Sequence, residues 1–310
     1  MNTVYIDPAC DESERRERLY DGQVFVLPPR PASLALVEFA REMLADAFGP
    51  VDPRLAQYEM PVEEYVAIVA PLKPRFIHDP RTIELIADIT REAGCDLRTT
   101  YLDVPRLRAV TSDAYLTAGV GYAHPPHRDT WYSAPMCQLN WWMPVFDIES
   151  ESSMAFHPDY WARPVLNSSA DFNYYEWNRV GRRDAALQIK TDARKQPQLL
   201  EDLEMEPQIR LVVPPGGIVL FSAAQMHSTV PNTAGSARYS IDFRTVNLVD
   251  LLEGAGAANL DSDCSGTSLR DFRRGSSGEP LPDEVVVLYD DETLPLGGEL
   301  VYRPPEVPTH

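Results

Sequence analysis

Residues 124–132 read HPPHRDTWY. His127 and Asp129 stand two apart, and on an extended strand side chains i and i+2 leave the same face. An imidazole nitrogen and a carboxylate oxygen placed in this way can converge on one metal ion. Two ligands make a weak site, so a third nitrogen or oxygen donor is expected on a later strand. His227 is the strongest candidate, because it follows PPGGIVLFSAAQM, where a Gly-rich turn at 216–217 leads into an apolar strand and a short loop. Arg238 comes eleven residues later, at the start of the strand-like ARYSIDFR. Arg238 and Ser240 share a face there and can jointly hold a carboxylate, the arginine through its bidentate fork.

Two histidines and one carboxylate are the ligand set of a facial triad, which leaves three positions on Fe(II) open for a chelating co-substrate and O2. The three ligands alone would equally suit zinc or manganese. Arg238-x-Ser240 favours iron, because a buried arginine close to a three-ligand metal implies an anionic co-ligand. In order and spacing, His127-x-Asp129, His227 and Arg238-x-Ser240 resemble the signature of Fe(II)/2-oxoglutarate-dependent oxygenases, and most closely the phytanoyl-CoA hydroxylase-like group. The resemblance runs over residues 20–247 and includes YDGQVFVLPP, which is similar to the edge strand and first helix with which that group begins. The PGSH-like stretch common in the group is replaced here by ESSMAFHPDYWARPV, which bears on substrate class and not on the metal ligands.

The resemblance implies an α+β fold with a double-stranded β-helix (jelly-roll, cupin-like) core. It implies iron on His127, Asp129 and His227, with 2-oxoglutarate chelating the metal and its C5 carboxylate on Arg238 and Ser240. The implied reaction decarboxylates 2-oxoglutarate to succinate and CO2 and hydroxylates an unactivated C–H bond of a small molecule, as in secondary metabolism. Desaturation, epoxidation or ring closure would use the same ligands. Asp129 stands where related halogenases carry a small residue, which favours oxygenation over chlorination. Two other classes remain open: a zinc- or manganese-dependent hydrolase and a non-catalytic jelly-roll binding module. The hydrolase would need a carboxylate base beside its activated water, and no spare Glu or Asp flanks either motif at useful spacing. The intact ligands and arginine count against the module.

Further residues stand near these motifs. Gln138, Asn140 and Trp142 alternate on the next strand, so Gln138 and Asn140 are candidates for the C1 carboxylate of the co-substrate. Trp131, Tyr132 and His157 are candidate substrate contacts. Arg244 shares the Arg238 face and is expected to pair with Asp242 or to meet an anionic substrate. His124 has an odd offset from His127, so on an extended chain it points away and serves structure. Arg179, Arg182 and Arg183 form a basic island, read as a solvated helix end or an anion contact.

Elements must position these groups. Ser33 is a plausible N-cap for an amphipathic helix through Leu36, Phe39, Ala40, Met43, Leu44 and Ala47 that stops at Gly49–Pro50. A second helix starts from Asp79 and Pro80 and runs to Gly94; between the two lies a Pro-punctuated connection over 50–80. From residue 100, LRAVTS, QLNWWMPVF, RLVV, GIVLFS and ARYSIDFRTV read as strands. The layout is therefore one oxygenase domain over 1–250. Its helical part covers 20–100, the jelly-roll core 100–148 and 209–247, and a lid or binding loop is inserted at 149–208. Residues 251–310 are expected to form an irregular, acidic extension with a mobile stretch to 280 and one strand at VVVLY.

The chain has 310 residues, with 28 Lys+Arg against 47 Asp+Glu and a net charge of −19. A surface so acidic repels phosphate backbones and anionic membranes, so no nucleic-acid or membrane partner is expected. The four cysteines form no CxxC pair, and reduced thiols in a cytoplasmic protein are expected. The opening residues hold no apolar run behind a basic start, and no stretch approaches the roughly 20 apolar residues of a membrane span.

Overall fold

The computed structural model describes residues 3–121, 123–181, 189 and 196–290. It is a mixed α and β structure in which helices pack on one face of a large sheet and a small sheet packs on the other.

The helical layer follows local chemistry. Helix α1 (Glu12–Tyr20) is capped by Asp11, whose side chain accepts from the Glu14 N–H. Helix α2 (Pro31–Phe48) starts two residues before the expected Ser33 cap. Pro31 opens it behind Arg30, and Ser33 instead accepts the Arg30 N–H at 2.9 Å. Helix α4 (Pro80–Glu92) begins as expected, with Asp79 accepting from the Arg81 N–H. The stretch read as a connection over 50–80 contains a further helix, α3 (Val62–His78), with Pro71 and Pro74 inside it. Tyr65, Val66, Val69, Leu72 and Phe76 bury one face of α3. That burial, at roughly 1.5–3 kcal/mol per large apolar side chain, outweighs the helix-breaking tendency of the prolines.

Strands β1 (Val4–Ile6) and β2 (Val24–Leu27) pair in parallel at one side of the large sheet, so the expected edge strand at 24–27 has a neighbour on each side. The sheet continues through β8 (Ile218–Ser222), β5 (Leu139–Pro144) and β10 (Arg238–Asn247) to β3 (Thr100–Leu102) and β11 (Arg273–Arg274). Strand β4 (Arg106–Val110) also pairs with β10. Alternation along β10 divides its two faces. Tyr239, Ile241 and Phe243 join the core under α2 and α3, whereas Arg238, Ser240, Asp242 and Arg244 leave the opposite face. On β5, Trp141 and Met143 likewise face the helices and Trp142 faces the small sheet.

The small sheet has the order β7 (Ile209–Arg210), β6 (Met154–Phe156), β9 (His227–Thr229). Met154 and Phe156 pack on Trp142, Val219 and Phe221 of the large sheet, with Phe156 and Phe221 rings 5.0 Å apart at 83°. Strand β6 falls inside the stretch expected as an insertion, so the inserted part begins after Phe156. At three residues, β6 is too short to show a period in the sequence.

The stretch 251–280, expected to be irregular and mobile, is packed. Leu269 and Phe272 are fully buried with Tyr101, Cys137 and Val246, and β11 pairs with β3. The expected strand VVVLY begins as one helical turn, Asp283–Val286, whose two valines join the same cluster. The rest of the acidic tail and residues 182–188 and 190–195, Arg182 and Arg183 among them, lie outside the described residues; Arg179 is exposed. No helix among the described residues is long and apolar enough to cross a membrane.

Candidate active site

The metal-binding candidates are assembled by backbone pairing, though not on the strand expected for 127–129. His127 makes an isolated antiparallel bridge with His227. Each donates its N–H to the other's carbonyl, at 3.0 Å both ways, and their rings lie 4.3 Å apart. Asp129 then starts a 3-10 turn (Asp129–Tyr132) whose first N–H groups bond to the Ala223 carbonyl. This turn takes the place of strand alternation in bringing Asp129 under the two rings. The potential ligand atoms of His127, Asp129 and His227 all lie within 4.8 Å of one another, and all three residues are buried.

The ring nitrogens are ordered by their partners. His127 Nδ1 is 2.7 Å from the Pro125 carbonyl and His227 Nδ1 is 2.9 Å from the Gln225 carbonyl. A carbonyl only accepts, so each Nδ1 carries a proton, which leaves Nε2 as the nitrogen of each ring available to a metal. Both Nε2 atoms face Asp129 Oδ1, at 3.3 and 3.9 Å. Burial and the neighbouring His127 push His227 down to about 3, so it is neutral at ordinary pH. Burial alone would raise the Asp129 carboxyl, but Arg244 and the two imidazoles more than offset it and hold it well below the usual range. Three acceptors converging on one point repel one another unless a cation lies between them. Two imidazoles and a carboxylate suit a divalent transition metal, so these residues fit iron.

Asp129 Oδ2 is held separately, accepting from Arg244 Nε at 3.1 Å. Arg244 Nη1 donates to Asp103 Oδ2 at 3.2 Å. The expected Arg244–Asp242 pair is therefore replaced. Asp242 instead accepts from Arg108 Nε and Nη2. Burial works against the Arg244 charge, but Asp129, Asp103 and Asp242 outweigh it and raise the guanidinium above its ordinary value.

The triad opens into a cavity of about 450 Å³. Arg238 lines it and is 5 % exposed. Its Nη1 donates to the carbonyls of Ser152 (3.1 Å) and Ser153 (3.2 Å), and its guanidinium stands over the Trp142 ring. Its Nε and the hydroxyl of Ser240 are buried without a hydrogen-bond partner. Among the described residues no carboxylate pairs with Arg238. Burial and the nearby Arg108 push it down to about 10. Gln138 and Asn140 line the cavity between the triad and β10, with Gln138 Nε2 donating to Asn140 Oδ1 at 3.1 Å.

Tyr132 lines the cavity too, its ring 5.6 Å from His127 and 5.4 Å from Phe172. Phe172, Tyr174 and Trp177, all from the inserted stretch, continue this aromatic wall. Other candidates lie elsewhere. Trp131 is fully buried away from the cavity, packed with Tyr160, Val165 and Met226, because it is the third residue of the 3-10 turn and faces inward. His157 is also outside the cavity lining. Its ring contacts the Ser228 hydroxyl (2.9 Å) and the Met205 carbonyl (3.4 Å), and burial lowers it below its ordinary value. His124, expected to point away, lines the cavity with its ring 5.1 Å from that of His127. Pro125 and Pro126 break the extended geometry on which the offset rule depended.

No family model matches the chain, and no curated protein matches it. Among solved structures it is similar to EvdO2 from Micromonospora carbonacea var. aurantiaca complexed with 2-oxoglutarate, at 15% identity over 78% of this chain and 93% of that one, with a TM-score of 0.43. It is similar to AviO1 from Streptomyces viridochromogenes Tue57, at 15% identity over 77% and 96% of the two chains, with a TM-score of 0.39. A third likeness is to the epimerase SnoN in complex with Fe3+, alpha ketoglutarate and nogalamycin RO, at 16% identity over 76% and 85%, with a TM-score of 0.39. These stand as likenesses only, and the chemistry below rests on the side chains.

Proposed function

We propose that this protein is an Fe(II)- and 2-oxoglutarate-dependent oxygenase of the phytanoyl-CoA hydroxylase-like group. It would oxidise an unactivated C–H bond of a small molecule in secondary metabolism, with release of succinate and CO2. One observation carries the reading: a single cavity is lined by three converging candidate ligands and by a buried arginine that has no carboxylate partner among the described residues. The acceptors alone would suit a hydrolytic metal; with Arg238 the cavity suits a metal ion and an organic anion together. The two facing sheets would be the halves of a double-stranded β-helix with the site at their open end. The four cysteines are unpaired, which suits the cytoplasm.

Iron, 2-oxoglutarate and O2 bound here would supply the oxidising power that C–H oxidation needs. The chain supplies position. His127, Asp129 and His227 hold the metal, and Arg244 fixes Asp129 through the oxygen that does not face the histidines. Arg238 and Ser240 take the C5 carboxylate of 2-oxoglutarate in charge-assisted hydrogen bonds. Asn140, whose Oδ1 accepts from Gln138, keeps its Nδ2 donors for the C1 carboxylate. The wall of Tyr132, Phe172, Tyr174 and Trp177 receives the body of the substrate and excludes water from the metal.

Anaerobic titration of the apoprotein with Fe(II) and 2-oxoglutarate tests the reading. The weak visible charge-transfer band of a ferrous 2-oxoglutarate chelate is expected, and it should vanish in Asp129→Ala. Iron binding without that band would return the site to the hydrolase or binding-module readings.

A further inference from the structure

Arg128 lies between two of the ligands in the chain, yet its side chain leaves the cavity and is 2% exposed. Its guanidinium donates to the carbonyls of Ala224 (2.6 Å), Tyr160 (2.6 Å) and Arg163 (2.9 Å), and to Asp261 Oδ2 at 3.2 Å. Asp261 is the carboxylate that pairs with it among the described residues, and that carboxylate is itself 5% exposed. It also accepts from the Trp131 indole N–H at 2.8 Å and from the Val165 N–H at 3.0 Å. The same stretch of chain is laced to the rest of the metal loop. Ser262 Oγ donates to the Thr130 carbonyl (2.6 Å), Ser133 Oγ to the Ser265 carbonyl (2.7 Å), and the Ala257 N–H to the Met136 carbonyl (3.0 Å).

Without Asp261 the buried guanidinium keeps three carbonyl acceptors but loses the one carboxylate that balances its charge among the described residues, which weakens its hold on that position. Arg128 stands between His127 and Asp129 in the chain, so its anchored guanidinium fixes one point of the backbone that joins them. We propose that Asp261 is a positioning residue of the metal centre, and that the segment 257–268 belongs to the site although it lies beyond the two sheets that carry the ligands. The inference rests on the reading of His127, Asp129 and His227 as metal ligands.

The test is titration of the full-length apoprotein with Co(II), following affinity and the visible d–d absorption. Asp250→Asn serves as the control. Asp250 lies in the same part of the chain and accepts from Arg16 Nε (2.7 Å) and the Tyr20 hydroxyl (2.6 Å), remote from the ligands. Asp261→Asn should weaken Co(II) binding about 10–100-fold, the usual effect of losing a partner behind the ligands, and should shift the d–d band. Asp250→Asn should lower the Tm and leave both readouts unchanged. A lower Tm in Asp261→Asn with wild-type affinity and band would overturn the proposal. Should Asp261→Asn fail to fold, Trp131→Phe removes one donor to Asp261. A smaller loss of the same sign would support the proposal, and unchanged Co(II) binding would overturn it. A wild-type protein that binds no Co(II) would overturn the metal-centre reading itself, and the proposal with it.

Discussion

Arg238 and Arg244 leave the same face of β10, six residues apart, the first buried and the second partly buried, and their surroundings are opposite. Arg244 sits between Asp129 and Asp103 at 3.1 and 3.2 Å, and these carboxylates raise its hold on the proton. Arg238 meets two carbonyls and an aromatic face, and burial lowers it to about 10. The contrast separates an arginine whose charge is used within the protein from one whose charge, under the proposed function, would meet the co-substrate. The presence of a carboxylate distinguishes them.

The largest expected effect breaks the contrast at Arg238. Arg238→Gln should weaken 2-oxoglutarate binding by about 2–3 kcal/mol, the upper range for a hydrogen bond to a charged group, with metal affinity unchanged. Anaerobic titrations of the two ligands would show this. Unchanged 2-oxoglutarate affinity would reverse the assignment and make Arg244 the carboxylate partner. Arg244→Gln should show the complementary pattern. Metal affinity is expected to fall on the order of tenfold, while the metal-saturated protein keeps its 2-oxoglutarate affinity. Ser240→Ala sharpens the comparison with the smallest change. It should cost about 1 kcal/mol of 2-oxoglutarate binding and leave the Tm unchanged or slightly raised, because the hydroxyl it removes is buried without a partner.

The cluster of His127, Asp129 and His227 was legible from its residue types and the two-residue spacing of its first pair, and the structure brings all three within 4.8 Å. Arg238-x-Ser240 was legible for the same reason, and the structure puts both on one face of β10. Arg244 was seen, but its partner was misjudged: Asp242 is two residues away on the same face, while Asp129 and Asp103 approach from other segments. Helix α3 was hidden by its two prolines, although Tyr65, Val69, Leu72 and Phe76 carried the helical period. The His124 expectation failed because it assumed an extended chain where Pro125–Pro126 set the direction, whereas Trp131 beside the candidate ligands could equally line a pocket or cap the core, and the 3-10 turn sends it to the core. Nothing near Arg128 marks Asp261 as its partner, since 133 residues separate them. The helix at 31–48 was legible from its apolar periodicity although its cap was misplaced, and the helix at 80–92 from its Asp79 cap and Pro80.

The reciprocal backbone bridge between His127 and His227 also sets the order of events as the chain folds. These residues are neighbours in space but one hundred apart in sequence, and contacts of that separation form slowly because a long loop must close first. Neither imidazole has its partner until β9 has docked, so the newly made chain presents isolated side chains and no chelate. Under the proposed function, metal capture would therefore be a late step that follows assembly of the sheets, and a bound ion would stabilise only molecules that have already closed that loop.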